Sequence, residues 1–435
     1  MFEAFQNIFR IPELKKRVLF SLGMLAVYRI GCHIPTPGID SLALAHFFKQ
    51  AQGTLLGMFD MFSGGALEKL TVFALGIMPY ISSSIIFQLL TVVVPAIEKL
   101  SKEGEAGRKK IIQYTRYGTI LLSVVQALGI SIGLESMRGP AGELVVPNPG
   151  WEFRIMTVIT LTAGTAFIMW LGEQMSEKGI GNGISLIIFA GIVARIPVAL
   201  INTFRLLKAG QLSLFVVIFV LALMLLAVAV VVFVERGQRR LPIHYAKRVV
   251  GLKTHGAQTS HLPLKVNMAG VIPPIFASSI IMFPATVGNF INVPWVQQAA
   301  QSMAPGKLFY NIFYVAFIVF FCYFYTAVTF NPVDVADNVK KHGGYIPGIR
   351  PGKETSEYID RVLTKLTFAG AIYISAVCVL PEIMISKFNL PFYFGGTALL
   401  IAVGVGMDTV SQVESHLITR SYEGFMKGVK IKGRR

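Results

Sequence analysis

The stretch that most limits what this chain can become runs from Leu70 to Ile97, without a single charge and with Pro79 inside it. About 20 apolar residues cross a bilayer, so this run spans with length left for tilt. The segment in front of it, LLGMFDMFSGGALEK over 55–69, behaves differently: Asp60, the Ser63-Gly64-Gly65 triplet and Glu68-Lys69 interrupt an apolar sequence too short to span. Broken backbone at membrane depth is tolerated only where protein or a water-filled cavity covers it. The economical reading is a short half-helix dipping back into a cavity, then a full span. An extracellular loop with a surface helix competes with it on local sequence.

The rest of the chain agrees with a membrane setting. Of 435 residues, 54% are hydrophobic and only 14% charged, against roughly a quarter charged in soluble domains; the mean hydropathy is +0.62. The net charge of +17 does not read as a nucleic-acid surface, because the Lys and Arg residues are spread over separate loops. Cys32, Cys322 and Cys378 lie far apart in or beside apolar runs, the pattern of free, inert thiols. The N-terminal MFEAFQNIFRIPELKKR has no apolar core or small-residue cleavage site and does not read as a cleavable signal. Phe2, Phe5, Ile8 and Phe9 instead suggest an amphipathic surface helix.

Span-length runs fall at about 18–34, 70–97, 117–137, 153–172, 183–204, 212–234, 266–287, 308–330, 366–385 and 393–410. Arg29 sits near the far end of the first, where it can snorkel to the interface; Arg195 and Pro197 weaken the fifth. The fold class expected is an all-α polytopic membrane protein of ten helices. Lys and Arg concentrate in the N-terminal segment, the loops near 98–116, 235–265 and 339–365, and the tail from Arg420. The positive-inside rule then places both termini in the cytoplasm. Five spans before and five after a linker near 201–211 imply two inverted halves, 1–205 and 206–435, an inference from counting alone. The loops 235–265 and 331–365 exceed ordinary connections. The first alternates basic with apolar residues (Leu241, Ile243, Tyr245, Val249, Val250) as a protruding hairpin would.

No catalytic set is present: the seven histidines include no HExxH, and GxSxG, P-loop and paired CxxC motifs are absent from the sequence. No cofactor is implied. Glu173, Glu235, Glu382 and Asp408 sit near span ends rather than midplanes, which weighs against an ion-driven pump. Ile77 with Ile81, and Ile184 with Ile188, are four apart and so share a helix face. A lone transmembrane isoleucine mostly faces lipid or a packing neighbour. The seventh span, VNMAGVIPPIFASSIIMFPAT, reads as bent at its prolines. On these residues alone a small-solute transporter with inverted repeats, a protein channel and a membrane scaffold all remain open.

The runs FSGGALEKLTVFALGIMPYISSSII, EKGIGNGISLIIFAGIVA, NMAGVIPPIFASSII, GGYIPGIRPGKET and PFYFGGTALLIAVGV resemble the SecY family, the channel subunits of bacterial protein translocation. The likeness extends from the N-terminal helix to the basic tail. It implies a ten-span hourglass of two pseudo-symmetric halves in the cytoplasmic membrane, moving unfolded polypeptides and driven by a motor or ribosome outside, with no enzymatic activity. It implies a constriction ring at Ile77, Ile81, Ile184, Ile188, Ile275 and Ile401. A plug half-helix is implied near 57–71, including Phe62, Ser63, Gly64, Gly65 and Leu67. The second and third spans would face the seventh and eighth across a lateral gate bearing Ser83, Gln88 and Ser279, open to signal peptides and membrane lipid. Docking of the motor ATPase SecA and of the ribosome, ribosomal RNA included, falls on Arg239, Arg240, Lys247, Arg248 and Arg350. The small membrane subunits SecE and SecG are the implied partners. One departure is the doubled Pro273-Pro274, expected to stiffen a kink.

Overall fold

The computed structural model describes residues 11–40, 43–44, 60, 63–136, 144–210, 213–245, 248–250, 253–255, 259–290, 307–388 and 395–428; at 248–250, 253–255, 282–290, 382–388 and 418–428 it describes backbone only. The surface helix expected over residues 2–10 lies outside these. The chain opens with α1 (Pro12–Gly31), which Pro12 starts by occupying a position whose N–H has no helical partner. Its successor is not the helix expected from Leu70. Residues 63–77 form a succession of turns, and α2 runs only over Met78–Val93. Pro79 accounts for the start, being a first-turn residue of α2. Pro95 accounts for the end, since the residue before a proline is pushed out of the helical region, and Val94 is extended. The helix resumes as α3 (Pro95–Lys102) after a bend of 99°.

There follow α4 (Glu105–Ser136), α5 (Trp151–Lys178), α6 (Gly183–Val193), α7 (Ile196–Lys208) and α8 (Leu214–Glu235). Then come β1 (Gln238–Tyr245), β2 (Arg248–Val250), β3 (Lys253–His255) and β4 (Thr259–Lys265). The last elements are α9 (Ile272–Phe290), α10 (Leu308–Thr329), α11 (Pro332–Lys341), β5 (Gly344–Tyr345), α12 (Lys353–Phe388) and α13 (Gly396–Gly428). Among the described residues seven helical segments are long and apolar enough to cross a membrane, with α6 and α7 counted as one, and the bent pair α2–α3 makes an eighth. Adding α1 and α9, apolar over Ile272–Ile281, gives the ten expected.

Helices pack in two rings of contact. In the first, α1 lies on α5 and α6, while α4 lies on α2 and α5; in the second, α13 lies on α8 and α12, and α10 joins α12 to α9. The rings meet along two seams: α6 against α13, and α9 against both α2 and α4. Lipid removes most of the hydrophobic drive for such packing, leaving close approach and hydrogen bonds to supply it. Gly164 of α5 shows the first: any side chain there would collide with the Val72 carbonyl. Buried hydroxyls show the second, with Ser83 of α2 donating to the Thr115 carbonyl of α4 at 2.8 Å and Tyr314 meeting Thr397 at 2.6 Å.

Outside the helical body the hairpin forms as its alternation required. β1 pairs antiparallel with β4 from Gln238↔Lys265 to His244↔Thr259, and β5 adds to its other edge. Leu241 and Leu264 are buried with Ile346, Ile359 and Leu363 in a small second core. The stretch 331–365 is not a plain loop: α11, β5 and the first three turns of α12 occupy most of it.

An apolar core stopped by a buried turn

The structure gathers the isoleucines from four elements. Ile77 is the N-cap of α2 and Ile81 lies one turn into it; both are buried. Ile184 and Ile188 stand on α6, whose first turn is fixed by Asn182, its side-chain oxygen accepting from the Ile184 and Ser185 amides at 3.1 and 3.4 Å. Ile275 of α9 and Ile401 of α13 come from the second ring. Ile77, Ile81, Ile188, Ile275 and Ile401 belong to one continuous buried cluster, and Ile184, half-buried, packs against it. The doubled proline does not kink α9. Pro273 and Pro274 sit in its first turn, where missing N–H groups cost nothing.

The turn at 63–68 joins this cluster through Ala66 and Leu67. Of the half-helix expected over 57–71, Asp60 is helical and the backbone from Ser63 to Leu70 is turns, while Phe62 and most of 57–62 lie outside the described residues. Gly64 and Gly65 have φ of +69° and +87°, left-handed values that glycine reaches without steric cost. A methyl on Gly64 would also stand 2.8 Å from the Gly191 Cα of α6. Ser63 and Leu67 are buried; the Ser63 hydroxyl donates to the Asp60 carbonyl at 3.0 Å and accepts from the Leu67 amide at 3.3 Å.

Four charges hold this turn, and sequence reading missed their association. The Asp60 side chain is only 4% exposed, with one oxygen accepting from the Glu68 amide at 2.8 Å and the other paired with the Arg195 guanidinium. Arg195 also lies 3.6 Å from Glu68. From α1, Arg29 donates to the Gly64 carbonyl at 3.1 Å, and the Tyr28 hydroxyl donates to the Ser63 carbonyl at 3.2 Å. Arg29 therefore turns inward rather than snorkelling. Arg195, the interruption between α6 and α7, is a tether. The available signal was an arginine inside an apolar run, which calls for a partner.

At the seam of α2 and α4 with α9, Ser83 is occupied elsewhere: its hydroxyl donates to the Thr115 carbonyl of α4 at 2.8 Å. Ser279 is buried and bonds back to the Ile275 carbonyl at 2.7 Å. Gln88 is half-buried, 3.5 Å from the Ser84 hydroxyl. On the sheet, Arg239 and Arg240 are exposed and point to opposite faces of β1. Arg350 is exposed on a turn pinned by buried Ile346 and by Thr355, whose hydroxyl donates to the Arg350 carbonyl at 2.8 Å. Lys247 lies outside the described residues, and Arg248 is described only as backbone in β2.

These features define a multi-pass helical membrane protein, two rings of helices around one apolar core, with a folded sheet outside it. The chain belongs to the SecY family, whose model matches residues 71–410. A protein translocase subunit SecY of Pseudomonas aeruginosa is 53% identical over 427 residues, covering 97% of this chain and 95% of that protein. The fold is shared with a solved protein-conducting channel at a TM-score of 0.66 and 18% identity, covering 93% of each chain. It is shared equally with canine Sec61 in a ribosome–channel complex from the endoplasmic reticulum, at a TM-score of 0.63, 18% identity and 93% of each chain.

Proposed function

We infer that the chain is the channel-forming subunit of a protein translocase, passing unfolded polypeptides across a membrane and releasing apolar segments sideways into lipid. The observation that carries this reading is family membership along nearly the whole chain, at 53% identity to a translocase subunit. It is a channel subunit, not an enzyme and not a small-solute transporter. The physics of the core agrees. A passage for every side chain must hold none, and branched aliphatics offer no hydrogen bonds while resisting wetting. Among the described residues Asp60 is the only fully buried acid, and Arg195 occupies it.

Within that reading, Ile77, Ile81, Ile184, Ile188, Ile275 and Ile401 form the constriction, and the turn through Ser63, Gly64, Gly65 and Leu67 is the plug. The seam of α2 and α4 with α9 is the lateral gate, where Gln88 is half-buried and Ser83 and Ser279 are buried. Residues 1–205 and 206–435 form two halves that part there. The Lys/Arg asymmetry supports a bacterial cytoplasmic membrane with both termini and the sheet on the cytoplasmic side. There Arg239, Arg240, Lys247, Arg248 and Arg350 would meet a ribosome, as suits the ribosome-bound canine relative, or the motor SecA. SecE and SecG would complete the complex.

Reconstitution tests the function: vesicles should take up a signal-bearing polypeptide only when the motor or ribosome is supplied. Uptake of small solutes without partners would reverse the assignment. Orientation is tested by a cysteine at exposed His342, which should react with an impermeant thiol reagent in inverted vesicles and not in intact cells. The three native cysteines are buried, so background labelling is low.

A further inference from the structure

We propose that Arg195 is the latch of the seal, a residue that sets how strong a signal segment must be to open the channel. The inference rests on reading the turn at 63–68 as the plug. Three observations carry it. Arg195 projects from the break between α6 and α7 and pairs with Asp60, whose carboxylate also accepts the Glu68 amide, so a single guanidinium fixes both ends of the turn. The Gly65 Cα faces the same guanidinium, close enough that an added methyl would sit 3.4 Å from its Nη2. From α1 the turn is held differently, by the Arg29 guanidinium and the Tyr28 hydroxyl on the carbonyls of Gly64 and Ser63.

The asymmetry matters. Contacts from α1 go to backbone carbonyls and survive most substitutions in the turn. The contact from Arg195 is charge to charge, in a place where the Asp60 side chain has almost no water. Removing one member of such a pair leaves the other charge buried and unpaired, which is far worse than removing both. The closed turn therefore depends on Arg195 and Asp60 as a unit. Arg195 also stands at the end of α6, which carries Ile184 and Ile188 and packs on α13 across a seam between the rings. The latch thus ties the turn to a wall of the constriction itself.

The test uses the complex purified with its membrane subunits, in planar bilayers for ion conductance and in vesicles for polypeptide uptake. Arg195→Gln and Asp60→Asn should each raise resting conductance about tenfold or more, and should admit substrates with weakened signal segments. The double variant should leak no more than either single variant, because the two act through one bond. Arg195→Lys keeps the charge and should stay within about threefold of the unaltered channel. Single variants that leave conductance unchanged, a double variant whose leak is the product of the two, or a lysine variant leaking like the glutamine one would each overturn the latch. Failure of the unaltered complex to take up polypeptide at all would instead overturn the channel reading on which the latch rests.

Discussion

The buried turn at 63–68 and the sheet of β1, β4 and β5 are two places among the described residues where this helical protein uses non-helical backbone. They solve the same problem in opposite ways. The sheet satisfies its own peptide groups through an unbroken ladder, so its arginines, Arg239 and Arg240, are free to face outward. The turn has internal bonds of its own, Ser63 with the Asp60 carbonyl and the Leu67 amide among them, and is tied further by side chains from outside it, Arg29 and Arg195. An arginine outside is a contact offered; an arginine inside is a contact used.

That contrast can be broken or sharpened by substitution. The largest effect is expected at Arg350, on its pinned turn. Arg350→Glu reverses a charge at a proposed docking face, where like charges brought together cost several kcal/mol. Motor-driven uptake should fall at least about tenfold while the purified complex keeps its melting temperature. Uptake at the normal rate would remove Arg350 from the docking face.

The proposed constriction should respond next. Ile401 is 1% exposed, and a buried aliphatic-to-polar change costs roughly 1–3 kcal/mol. Ile401→Asn would give water a foothold at the proposed narrow point and should raise resting ion conductance severalfold or more. Ile218 of α8, 59% exposed, is the control, and Ile218→Asn should leave the seal intact. Equal leaks at both positions would mean that ordinary helix-packing isoleucines had been mistaken for a pore lining.

The smallest effect belongs to a single exposed charge. Arg240→Ala should weaken ribosome or motor binding by about 1 kcal/mol or less, and the loss should shrink as salt rises, as screened surface charge does. A salt-independent loss would indicate a desolvated contact there instead.

What could be read beforehand follows the range of the interaction involved. The hairpin was legible because alternation is local, and Leu241 and Ile243 are buried as that period demands. The isoleucine pairs on α2 and α6 were legible as shared faces for the same reason. The stretch 70–77 misled because an apolar run without polar neighbours has no period to betray its backbone; the better marker was Pro79, which sits where a helix begins. The Asp60–Arg195 pair was not legible, since its partners are far apart in the chain and the arginine looked like a fault in a span. Arg29 was misplaced similarly: a snorkelling arginine and an inward one have the same sequence.

The long helix α12, Lys353–Phe388, has a mechanical meaning. At about 1.5 Å per residue it runs roughly 42 Å before Pro381, the proline inside it. Near one end Ile359 and Leu363 are wedged beneath the sheet, and further along Ile374 and Cys378 are embedded in the main core. A load applied at the Arg350 turn is therefore not absorbed by a slack connector. It meets a strut whose side chains are shared between the small core under the sheet and the main helical core.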